Sequence, residues 1–129
     1  LDTIMNNTII YDFGDAIRTS CNTTSENDCD INNINFNLDF YKYFATGYIK
    51  ECKNFICKEE KNWLAFAPIL VTLEQAIRFF IDYLNGNTYY KVTSPNQNLD
   101  RGLNQIILAK KMLLKEKEME NYINSLFQS

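Results

Sequence analysis

The chain has 129 residues, 46% of them hydrophobic, and a net charge of −3. That length holds one domain, the apolar share is enough for a core, and no basic field is present to draw nucleic acid or an anionic membrane. Histidine is absent, which removes the commonest general base and metal ligand and excludes Ser-His-Asp or Cys-His chemistry within these residues.

In chain order, residues 1–10 read as the end of a strand, a turn at Asn6-Asn7 and the approach to a helix. A short helix is predicted at about 11–20, where Phe13, Ala16 and Ile17 fall at helical spacing. Asp12 lies near its amino end, where a carboxylate suits the helix dipole. Residues 20–37, SCNTTSENDCDINNINFN, are polar and acidic and predict a solvated loop, long enough to be functional. Residues 38–53 form an amphipathic helix capped by Asn37, with Leu38, Tyr41, Ala45, Tyr48, Ile49 and Cys52 on one stripe.

Residues 58–85 make the longest apolar helix, with Leu73, Ala76, Ile77, Phe80 and Leu84 along one side. Pro68 kinks or divides it, and Gly86 stops it. TYYKV at 88–92 has strand character but no partner, so it reads as an extended loop. A last helix begins near Leu99 and repeats Leu103, Ile106, Ile107, Leu113 and Leu114 at helical spacing. Past Lys110 it becomes highly charged, and Met119, Tyr122, Ile123, Leu126 and Phe127 are left to pack on a neighbouring helix or a partner. The sum is an all-α chain: one domain over 1–129, a helical bundle of four to five helices, with the polar loop at 20–37.

The four cysteines, at 21, 29, 52 and 57, match no zinc spacing and are too few for a disulfide framework. Free thiols in a reducing cytoplasm are expected. Asn6 and Asn22 begin glycosylation sequons, which an asparagine-rich chain produces by chance. The longest apolar run, WLAFAPILV at 63–71, is too short to span a bilayer, so no membrane partner is expected.

Asp12-Phe13-Gly14 spells the tripeptide with which protein kinases hold magnesium. A kinase needs a catalytic loop and a strand lysine ahead of it. Only eleven residues precede Asp12, so by spacing alone the tripeptide is a coincidence. Other groups admit two readings each. Asp15 and Arg18, at i and i+3, suit a salt bridge, and the Arg fork also suits phosphate, carboxylate or vicinal hydroxyls. Glu74, Arg78 and Asp82, at i, i+4 and i+8, brace two helices or line a polar cleft. Tyr83, Tyr89 and Tyr90 offer rings and hydroxyls to a sugar, or pack. Asp100 and Arg101 cap the last helix or face a ligand.

The wider pattern is more specific. LDT…YDFGDAIRT, FNLDFYKYFATGYIKE, LEQAIRFFIDYLNGNTYYK and NQNLDRGLNQIILAKKM occur in order over about residues 1–114. Together they resemble the C-terminal lobe of aminoglycoside-phosphotransferase-like small-molecule kinases, closest to the N-acetylhexosamine 1-kinases often labelled mucin-desulfating proteins. The resemblance implies the helical subdomain of a protein-kinase-like α+β fold. It also implies ATP and magnesium as cofactors of the parent protein, none held by this chain, and a sugar or amino-sugar acceptor.

The magnesium aspartate of that family would stand one position before Leu1, and the catalytic aspartate further upstream, in an N-terminal lobe. This chain would then be the acceptor-side lobe, without catalytic or metal-binding residues of its own. Asp2 and Asp12 would sit beside the metal, Asp12 fixing the catalytic loop. Arg18, Tyr83, Tyr90 and Arg101 would face the substrate. A strand separated from its sheet neighbours would leave an apolar patch, which a homodimer of the fragment would cover. The alternative is a non-catalytic helical module that binds a small ligand or a protein.

Overall fold

The computed structural model describes residues 8–128. The strand end expected in residues 1–7, and Asp2 with it, lie outside the described residues. Among these, six α-helices occur in the order α1 (Thr8–Ser20), α2 (Leu38–Cys52), α3 (Lys58–Leu64), α4 (Ala67–Leu84), α5 (Gln97–Leu114) and α6 (Glu116–Leu126), with a 3-10 turn at Lys53–Phe55. The one bridge between extended residues joins Asn22 to Phe36. The all-α bundle expected from the sequence is what forms.

Local chemistry sets the boundaries. Asn37 Oδ1 accepts the Phe40 backbone N–H at 3.0 Å and so starts α2. Glu59 and Glu60 occupy the first turn of α3, where the helix dipole favours them. Pro68 falls in the first turn of α4, where its missing N–H costs nothing. It divides rather than kinks the long apolar segment: α3 and α4 are bent by 64° at the break. The last helix is also two, because α5 stops at Leu114 and α6 starts at Glu116. Among the described residues no single helix is long and apolar enough to cross a membrane.

α4 and α5 run antiparallel, tied at one end by Asn98 to Asp82 and further along by Thr72 to Met112. They approach closely at Gly102, where an added Cβ would overlap the Phe80 ring. α1 crosses α4 at Gly14, where a Cβ would meet Ala67 O and Val71 Cγ2 at 2.8 Å. The glycine of the DFG tripeptide is thus a packing glycine. Phe13 beside it is fully buried against Tyr41 and Tyr48, and the buried Met119 and Ile123 bring α6 onto the same core. Burial raises the Tyr41 phenol far above its ordinary pKa and pushes the Cys21 thiol up to about 12.

The buried faces differ from the expected stripes. On α4 the inward residues are Ile69, Thr72, Ala76 and Phe79, whereas Ile77 and Leu84 are 55% and 79% exposed. On α5, Asn98, Asn104 and Gln105 turn inward with Leu108, Ala109 and Met112, while Leu103, Ile106, Leu113 and Leu114 face out. Nor is the 20–37 segment only a solvated connection. Cys21, Ile34 and Phe36 are buried at its roots, closed by Thr23 N–H to Asn35 O and Asn37 N–H to Cys21 O.

Candidate functional site

The last turns of α4 and the loop that follows enclose an open hollow of about 380 Å³, bordered by Arg78, Ile81, Asp82, Asn85, Tyr89 and Tyr90. After α4 the chain turns through Gly86 and Asn87, both at left-handed φ (85° and 61°), and folds back over the helix end. Asp82 receives it. Its Oδ1 accepts the Tyr89 N–H at 2.8 Å and its Oδ2 the Tyr90 N–H at 3.0 Å. Asn98 Nδ2 donates to Oδ2 at 2.8 Å, and the Thr88 hydroxyl to Oδ1 at 3.4 Å. The residue is 5% exposed. The Tyr90 N–H, with those of Tyr89 and Thr88, holds its pKa below the ordinary carboxylate value.

The two tyrosines form a wall. Tyr90 packs on Phe79 with ring centroids 4.8 Å apart, and its hydroxyl accepts from Gln75 Nε2 at 3.0 Å. Tyr89 stands edge-on to Tyr90 at 4.8 Å and is 82% exposed. Arg78 borders the same hollow. Its Nη2 donates to Glu74, while Nε and Nη1 make no hydrogen bond among the described residues. The predicted Glu74–Arg78–Asp82 ladder is therefore a surface pair plus an inward acid with another task.

A second, polar hollow of about 280 Å³ lies between the end of α1, the 20–37 loop and α5. Arg18 is there, its side chain 11% exposed, donating to Asp15 at 2.9 Å, Glu26 at 3.3 Å and Gln105 Oε1 at 3.1 Å. The expected Asp15–Arg18 pair forms. Asn104 docks the loop: its Nδ2 lies within bonding distance of Thr24 Oγ1, Ser25 O and Asp28 O. Asn22 Nδ2 donates to Asn104 Oδ1 at 2.9 Å, and Asn22 Oδ1 accepts from the Thr24 N–H and hydroxyl.

The residues singled out from the sequence do not converge on one site. Tyr90 belongs to the first hollow and Arg18 to the second. Tyr83 borders neither, its hydroxyl lying 3.4 Å from Asn96 Oδ1. Arg101 bridges three segments, donating to Asn27 Oδ1 at 2.7 Å, Lys91 O at 2.9 Å and Asn98 Oδ1 at 2.9 Å, with its guanidinium over Phe79. Asp12 is exposed on α1 without a hydrogen-bond partner among the described residues. Arg78, which the sequence offered to a polar cleft, and Tyr89, which it offered to a sugar, border the first hollow, although the resemblance did not place them facing the substrate. The signal that finds them is an arginine in the last turns of an apolar helix followed by adjacent tyrosines after a Gly turn.

No group of three His, Cys, Asp or Glu side chains that could hold a metal ion occurs among the described residues. All four cysteines are unpaired. Fold and surface define an all-α bundle whose hollows include one at the end of α4 bordered by tyrosine rings and a polar one beside Arg18. No protein-family model matches the chain.

Proposed function

We propose that this chain is the acceptor-side helical lobe of an ATP-dependent sugar or amino-sugar kinase, of the N-acetylhexosamine 1-kinase type. The observation that carries the reading is the hollow at the end of α4. An arginine whose Nε and Nη1 make no hydrogen bond among the described residues borders it together with adjacent, differently inclined tyrosine rings. Rings that take the apolar face of a pyranose, and a planar fork of donors for its hydroxyl or acetamido oxygens, are the parts a saccharide site needs. The four ordered sequence motifs support the same reading. The nucleotide-binding lobe and the catalytic aspartate would come from residues other than these 129, so the chain by itself turns nothing over. Joined to that lobe, it orients the acceptor hydroxyl for attack on the γ-phosphate of ATP, and orientation is a large part of such catalysis.

The test is release of ADP, with phosphate recovered on the sugar, by the full-length polypeptide given ATP and a panel of N-acetylhexosamines. Arg78→Ala in that protein is expected to raise KM for the sugar about tenfold or more with little change in KM for ATP. No sugar-dependent ADP release with any member of the panel overturns the proposal. The second reading, a helical protein-binding module, rests on the outward Leu103, Ile106, Leu113 and Leu114 of α5. Such a module would show no sugar-dependent turnover and would lose its partner on substitution of those residues.

A further inference from the structure

A buried carboxylate is costly unless its charge is met. Asp82 has no ion-pair partner among the described residues, and its charge is met by dipoles alone: two consecutive backbone N–H groups, a carboxamide and a hydroxyl. If Asp82 only joined α4 to α5, the single bond from Asn98 would suffice. The other three bonds all go to Thr88, Tyr89 and Tyr90. Successive N–H groups converge on one anion only where the backbone is sharply bent, the arrangement of an anion nest. Here the bend carries the two ring-bearing residues, which leave it at an interplanar angle of 81°. One ring goes back onto Phe79, and the other goes out to solvent beside the hollow.

We infer that Asp82 is a positioning residue for the saccharide acceptor, holding Tyr89 and Tyr90 as a preformed wall of the hollow that Arg78 also borders. The inference rests on the reading of that hollow as the acceptor site. Preformation matters because a loop that must be ordered by its ligand loses affinity by the cost of ordering. The lowered carboxyl pKa agrees with a carboxylate held ionised by the loop amides.

The probe is N-acetylglucosamine, titrated into the chain and followed by amide NMR, alongside hydrogen exchange of the Tyr89 and Tyr90 amides without sugar. Asp82→Asn keeps the size but offers one acceptor oxygen in place of two. It is expected to speed exchange at Tyr89 or Tyr90 and to weaken sugar binding by about tenfold, the loss of one hydrogen bond to a charged group. Adding Asn98→Asp restores a donor–acceptor pair between α4 and α5 but not the second loop acceptor. The double variant is expected to recover thermal stability without recovering slow exchange or affinity, a split that a purely structural role does not produce.

Unchanged exchange in Asp82→Asn, or affinity that returns together with stability in the double variant, overturns the inference. Should Asp82→Asn fail to fold, Asp82→Glu, which keeps the charge one methylene further out, is read in the same way. A wild-type chain that takes up neither N-acetylglucosamine nor any other member of the N-acetylhexosamine panel overturns the acceptor reading and the ligand half of this inference. Exchange at Tyr89 and Tyr90 still decides whether Asp82 holds the pair.

Discussion

At Asp82, hydrogen bonding and protonation are coupled in a way that stability reports. The folded carboxyl has a pKa below its ordinary value of 3.8, chiefly through the Tyr90 N–H. Its contribution to stability is therefore complete above the ordinary value and is lost as pH falls through the folded one. Asp82→Asn is expected to lower the thermal midpoint at neutral pH, with the gap to wild type narrowing as the medium is taken below pH 3.8, read by circular dichroism. The sequence placed Glu74, Arg78 and Asp82 in one ladder because they stand at i, i+4 and i+8. A step of eight residues turns an α-helix about 80° beyond two full turns, enough to carry Asp82 off the exposed Glu74–Arg78 edge and into the interior. Arg101 was legible as a capping or ligand-facing residue but not as the bridge between segments that it makes. Its partners Asn27 and Lys91 lie in loops whose docking no local pattern announces.

Elements were more legible than faces. Helical spacing, the Asn37 cap and the divider at Pro68 identified the helical segments through α4. Which side of α4 is buried was not readable, because apolar residues lie almost all round it and the observed face is displaced from the expected one by about one residue, or 100°. Only packing against α1 and α5 decides it. Substitutions can check this: Ile77→Gln and Leu84→Gln are expected to change stability by no more than about 0.5 kcal/mol, whereas Phe79→Ala costs about 3–5 kcal/mol, measured by urea unfolding.

The helix crossings give a second contrast. Gly14→Ala drives a methyl into the Ala67 carbonyl, and backbone cannot step aside. A loss of about 1–3 kcal/mol is expected there. Gly102→Ala meets only the partly exposed Phe80 ring, which can swing. It is expected to cost less, and the same unfolding series ranks the two.

For the whole molecule, the bundle closes through contacts far apart in sequence. α6 lies beyond the stretch that carries the kinase resemblance. It nonetheless belongs to the body of the fold: Met119 and Ile123 are buried, and Lys53 Nζ donates to Leu126 O at 3.2 Å. The sequence left the apolar residues of this charged stretch to a neighbouring helix or a partner, and the bundle itself takes Met119 and Ile123 inward. The docking of the 20–37 loop was hidden. Its composition is that of a solvated strap, but it is buttoned to α5 by Asn104 and its roots lie in the core. Asn104→Ala leaves the Ser25 and Asp28 carbonyls without that donor. It is expected to cost about 1–3 kcal/mol and to make the loop the first site cut in limited proteolysis.

The same clasp has a consequence for biosynthesis. The Asn22 amide nitrogen that an oligosaccharyltransferase would need is already donating to Asn104 Oδ1. Once the loop has closed, that nitrogen of the Asn22-Thr23-Thr24 acceptor is held in the clasp. An oligosaccharide attached to Asn22 during translocation would in turn keep the clasp from engaging and leave the neighbouring root of the loop unsealed. Passage through the secretory pathway would thus set folding and modification against each other at one nitrogen atom.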